Sequence, residues 1–147
     1  MKKAFFRITG ILALAFLAAG SVVRAQEPLL VNIPFAFTAG KMTLPAGEYR
    51  VQNTAEASSA LLIQRIDGSA ATYVMPHAVQ ANRPQTQSKL VFRRNGERYF
   101  LSQVWIEGHS RGKELSPSAK EKERTLLARN EAPDQVTILA RLIPSNH

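Results

Sequence analysis

The sequence predicts a mainly β domain, an antiparallel sandwich or small barrel of about seven strands, with one helix in the C-terminal half before the last strand. Three observations carry that expectation. Short runs of β-branched and aromatic residues alternate with polar ones along most of the chain. Asp67-Gly68 and Asn95-Gly96 each stand between two such runs, where a two-residue hairpin loop demands positive φ angles. Only the stretch from Ser118 to Arg129 carries helix-start chemistry followed by good helix formers.

The first 25 residues read as a leader. Lys2, Lys3 and Arg7 make a positive start, Ile8 to Ala19 is an apolar run, and Val23-Arg24-Ala25 places small side chains where a signal peptidase reads, with cleavage expected after Ala25. The run falls short of the roughly 20 apolar residues a membrane span needs. No cysteine follows it for a lipid anchor. This divides the chain into a cleaved signal, 1–25, and a single β-rich domain, 26–147, that is secreted or periplasmic and has no membrane span after cleavage.

The elements of that domain follow in order. From Leu29 to Phe37, Val31, Ile33, Phe35 and Phe37 alternate with Asn32, Pro34 and Ala36; Pro34 cannot donate to a ladder, so this strand is expected at a sheet edge. In LPAGEYRVQ, Pro45 and Gly47 suit a tight turn, and Tyr49 and Val51 then point inward. The first hairpin pairs Ala60–Ile66 with Ser69–Met75. The second pairs Lys89–Arg94 with Glu97–Ile106, setting Arg94 opposite Glu97, Phe92 opposite Tyr99 and Leu90 opposite Leu101. In that register Arg93 faces Arg98, a discordant pair unless both reach solvent or share an acid.

The strand from Arg98 to Ile106 is apolar on both faces, with Tyr99, Leu101 and Trp105 on one and Phe100, Val104 and Ile106 on the other. It must be covered on both sides. The cover expected is the helix, started by Pro117 and a Ser118–Glu121 capping box, with Ala119, Leu126 and Leu127 as a thin apolar edge against the sheet. Gln135 to Ile143 forms the last strand. Two polar segments, 76–88 and 107–116, are expected as loops.

Charge narrows the function. Of 19 basic side chains, Lys2, Lys3, Arg7 and Arg24 belong to the leader, which holds no acid. Without it fifteen basic groups face eleven acidic ones and the formal charge halves from +8 to +4, which disfavours a nucleic-acid binder. With no cysteine in the chain, thiol nucleophiles, disulfides and Cys-ligated metals are excluded.

The words VNIPFAFTAGKMTLPAGEYRV and LVFRRNGERYFLSQVW, with GKEL ahead of the helix, resemble those of a family of small exported β-proteins of acidobacterial type. They span most of the domain. That family has no assigned activity, so the resemblance implies export and a β fold and carries over no site residue. LPAGEYRV is also similar to strand-entry words of transthyretin-like and other extracellular β-sandwich modules, a likeness that turn chemistry alone produces.

Chemistry is sparse. The histidines His77, His109 and His147 stand alone, without His-x-His or HExxH spacing, so no metal site or cofactor is expected. His109 adjoins Ser110, but no GxSxG elbow exists, and Glu97 and Glu107 lie near opposite ends of one strand. No catalytic residue is assigned. The expected function is that of a non-enzymatic envelope or extracellular module, structural or binding, presenting 76–88 and 107–116. Its candidate binding residues are Arg93, Arg94 and Arg98 at the second hairpin tip, with His109 and Arg111 in the next loop, where Lys113 also lies. The partner would be an acidic envelope component or another protein. One alternative is a small closed barrel holding an apolar ligand, lined by Trp105, Phe100 and Tyr49, although about eight strands are needed to leave space inside. The other is a hydrolase with His109 as base.

Overall fold

A computed structural model of the chain describes residues 28–54, 60–127 and 134–143, the side chains of 120 and 124 excepted. The leader, 1–25, and Pro133 lie outside the described residues. The chain order is β1 (Leu29–Ile33), β2 (Phe37–Ala39), β3 (Met42–Leu44), β4 (Gly47–Asn53), β5 (Leu61–Arg65), β6 (Ala71–Val74), β7 (His77–Gln80), β8 (Lys89–Asn95), β9 (Arg98–Trp105), β10 (Arg111–Glu114), α1 (Ala119–Leu127) and β11 (Asp134–Leu142). Among the described residues the protein is mainly β with one short helix before the last strand, as its alternation and turn words require. Its strands join in the order β3-β2-β9-β8-β11-β1-β4-β5-β6, with β10 bridging β9 and β7. This sheet curls into a nearly closed barrel. The β2–β3 turn reaches the opposite end of the path, where a Cβ built on Gly40 would lie 3.3 Å from Val74 Cγ1 of β6.

Among the described residues eleven strands replace the seven expected, because segments that read as loop or as one strand are divided differently. Pro34 stops β1 at Ile33, and the chain restarts as β2, which pairs in parallel with β9. The edge position expected from Pro34 is therefore not found. β1 is flanked by β4 and β11, and Pro34 lies just beyond its last ladder bond, where its missing N–H costs nothing. The 76–88 and 107–116 segments each contribute a strand, β7 and β10, paired antiparallel. Their remaining backbones also bond, Ala81 N to Ser110 O at 2.7 Å, Gln85 N to His109 O at 3.0 Å and Gly108 N to Gln85 O at 2.8 Å.

The first hairpin takes the expected register, Leu61 opposite Val74 and Ile63 opposite Thr72. Its turn begins earlier than Asp67-Gly68: Gly68 N bonds Arg65 O at 2.9 Å with Gly68 at φ +77°. The second hairpin closes one residue later than expected, with Asn95 opposite Arg98 and Gly96 at φ +63° in the first central position. Phe92 consequently faces Leu101, Arg94 faces Tyr99, and neither the Arg94–Glu97 nor the Arg93–Arg98 pair forms. A bulge then sets Phe92 opposite Leu101 but Val91 opposite Gln103, leaving Ser102 unmatched. The extra residue breaks the alternation of β9. Leu101 and Val104 both enter the main core, contrary to the expected division of faces, while buried Phe100 and Trp105 lie outside that cluster.

The core contains Val31, Ile33, Phe37, Tyr49, Ile63, Leu90 and Phe92, all at most 1 % exposed. Phe37 meets Tyr49 and Phe92 edge-on at 5.2 and 5.5 Å. Tyr49 donates its hydroxyl to Pro45 O, four residues upstream. This is the tyrosine-corner arrangement of β-sandwiches, and it ties the Pro45 turn to the strand that follows. Burial raises the Tyr49 pKa, which keeps the hydroxyl protonated as donor.

The helix docks through charge rather than through its apolar edge. Ser118 caps it, accepting from Glu121 N at 3.2 Å, but the Glu121 carboxylate turns away from the helix start and binds Arg93 of β8. Leu126 and Leu127 stay more than three-quarters exposed, so the expected apolar contact does not form. Glu121 itself is 3 % exposed.

Candidate binding cleft

β10 is the strand that makes the site. It pairs with β9, Lys113 opposite Val104, and with β7, Lys113 opposite Ala78. Opposite residues of an antiparallel pair share a face. Val104 belongs to the core, so Lys113 points inward, toward the barrel mouth, and Gly112 and Glu114 take the other face. Trp105 covers that outer face: a Cβ on Gly112 would stand 2.5 Å from Trp105 Cε3, so the indole lies directly on the Gly112 backbone. Its Nε1 donates to Gln103 Oε1 at 2.9 Å.

Inside the mouth lies a half-open cleft of about 450 Å³. Its floor is made by core side chains from four strands, Leu29, Val51, Leu61 and Val104. Ile106 and Leu142 extend the apolar wall, and Gln52, Asn53, His77, His109, Arg111 and Lys113 supply the polar groups. A cleft of this size, mostly apolar with a few convergent polar groups, has the form of a small-molecule site. Among the described residues that line it, none is acidic. Across the opening the Lys113 ammonium donates to Asn53 Oδ1 of β4, from one wall to the other. Burial lowers the Lys113 pKa below that of an ordinary lysine.

The sequence-selected residues separate into three groups. His109 and Arg111 reach the cleft rim, both exposed. Arg94 and Arg98 stay at the hairpin tip; Arg94 donates to Gly96 O at 2.9 Å and lies 5.7 Å from the centroid of Tyr99, which stacks on Phe35 at 3.8 Å. Arg93 turns inward. Its guanidinium grips both oxygens of Glu121 and donates to Ser102 Oγ at 2.7 Å and to Leu115 O at 3.2 Å, a structural assignment that separates it from the other two arginines. The expected aromatic lining is also displaced, since Trp105 and Phe100 sit outside the core cluster and the Tyr49 hydroxyl is engaged by Pro45.

The strongest member of the site, Lys113, carried only the signal of a second cation two residues after Arg111. Asn53 and the apolar floor had none, because they converge only when β1, β4, β5 and β9 come together in the barrel. Among the described residues no three His, Asp or Glu side chains converge to hold a metal ion. Among them, too, no helix is long and apolar enough to cross a membrane. No family model, curated protein or solved structure matches the chain.

Proposed function

We propose that this chain is an exported, non-enzymatic binding module whose barrel mouth takes up a small apolar guest. The observation that carries the reading is the cleft, floored by Leu29, Val51, Leu61 and Val104 and left half-open between β4 and β10. Apolar surface held ready at the mouth of a barrel rewards a guest that covers it, by roughly 25 cal/mol per Å² removed from water. Export is supported by the residue pattern of 1–25, and a secreted or periplasmic carrier of this kind uses no cofactor.

Protein purified from cells expressing the full chain is titrated with 1-decanol, a neutral apolar guest, and followed by thermal melting and calorimetry. Stabilisation of about 2.7 kcal/mol is expected at a hundredfold excess over the dissociation constant. It should persist at high salt and be lost in Ala78→Phe, which fills the cleft from β7. A melting curve unmoved by saturating decanol would refute the reading. The same preparation, recovered from outside the cytoplasm with a mass beginning at Gln26, would bear out export. A protein that keeps residues 1–25 would count against it.

A further inference from the structure

We infer that the guest is an amphiphile with a single anionic head, held at the cleft mouth by the Lys113 ammonium with Arg111 beside it. The inference rests on the apolar cleft proposed above and names the chemical class that fits it. Lys113 is half-buried on an inward-facing position of β10, and among the described residues its side chain's one hydrogen-bond partner is the neutral Asn53 amide oxygen. An ammonium has three donors, so two remain for a ligand. Among the described residues no carboxylate lies within salt-bridge distance of it; their ion pairs are Arg65–Asp67 and Arg93–Glu121.

The contrast with Arg93 is informative. Where this fold buries a cation for structure it supplies a carboxylate, and Arg93 and Glu121 satisfy each other. At Lys113 it withdraws a cation from water beside Val104, and no described residue supplies a carboxylate. A charge half-removed from water without a counter-ion is costly, and burial holds its pKa down accordingly. An incoming anion repays that cost. Arg111, two residues earlier on the same face of β10, adds a second positive charge at the exposed rim, and among the described residues no acidic side chain lines the cleft to repel the head. The apolar floor below then accepts the tail. Head group and chain are thus read by different parts of one site.

The test compares decanoate, below its micelle concentration, with 1-decanol of the same chain length, by calorimetry on the protein purified from full-chain expression. Decanoate should bind about tenfold tighter or more than decanol, and the difference should shrink at high salt. Lys113→Met should remove the preference for decanoate over decanol, and Arg111→Gln should reduce it partially. Decanol bound as tightly as decanoate by the wild-type protein would overturn the head-group inference and leave the apolar cleft standing. Decanoate preference unchanged in Lys113→Met would also overturn it. Binding of neither ligand would remove the cleft reading itself. Association with phosphatidylglycerol vesicles without response to monomeric decanoate would replace a single-molecule site with a surface one, and so overturn it too.

Discussion

Replacing Glu121 with alanine isolates the contact that fastens the helix to the barrel. Arg93 and Glu121 are 14 % and 4 % exposed at their side chains, and the guanidinium makes two of its four hydrogen bonds to this carboxylate. Glu121→Ala leaves Arg93 buried with only Ser102 Oγ and Leu115 O. Breaking such a pair from one side costs about 3–5 kcal/mol, and the residual exposure of Arg93 places this one near 3. For a domain of about 120 residues that corresponds to a melting temperature lowered by roughly 10–15 °C. The helix should be lost with it. Nine residues cannot hold a helix alone in water, and Leu126 and Leu127 contribute no buried contact. Urea unfolding would be measured for wild type, Glu121→Ala, Arg93→Met and the double variant Arg93→Met/Glu121→Leu. The double variant should recover much of the loss, since removing both charges leaves neither one stranded, and the coupling between the sites should be about 2 kcal/mol or more. A Glu121→Ala protein within about 0.5 kcal/mol of wild type, or a coupling near zero, would refute the anchoring argument.

Three further outcomes follow from the packing and the charges. Tyr49→Phe removes the donor to Pro45 O and should cost about 1 kcal/mol in urea unfolding, modest because Pro45 is exposed and water can replace the hydroxyl. Gly112→Ala drives a methyl against the Trp105 ring 2.5 Å away and should lower stability by about 1–3 kcal/mol, with a change in Trp105 fluorescence as the indole shifts; an unmoved spectrum would contradict the close approach. Lys113 has a folded-state pKa below its unfolded value of 10.5, so between the two the unfolded chain binds more protons and stability rises with pH. Urea midpoints compared between wild type and Lys113→Met should therefore converge as the pH approaches 10.5, and a constant difference would mean that Lys113 is not desolvated.

Much of this architecture is contained in local residue pattern. Alternation around Val31 and Ile33, and again at Tyr49 and Val51, sets which side chains enter the core, because a strand presents successive residues to opposite faces. Gly68 and Gly96 place the hairpins, since few other residues accept their positive φ angles. Ser118 starts the helix. What local pattern cannot carry is the choice of partner. Glu121 belongs equally to a capping box and to an ion pair, and Arg93, one residue outside the core alternation, decided between them only once β8 lay beneath the helix. The Ser102 bulge left no mark in composition, yet it moved Val104 into the core and with it the inward face on which Lys113 lies. β7 and β10 read as loop because each is a short pair at the margin of the sheet, half facing solvent, with little apolar alternation to declare it. The cleft follows the same rule. Its floor comes from residues that each look like ordinary core, and they leave a space open to a guest only because β4 and β10 stand apart across the barrel mouth, a distance set by closure of the whole sheet.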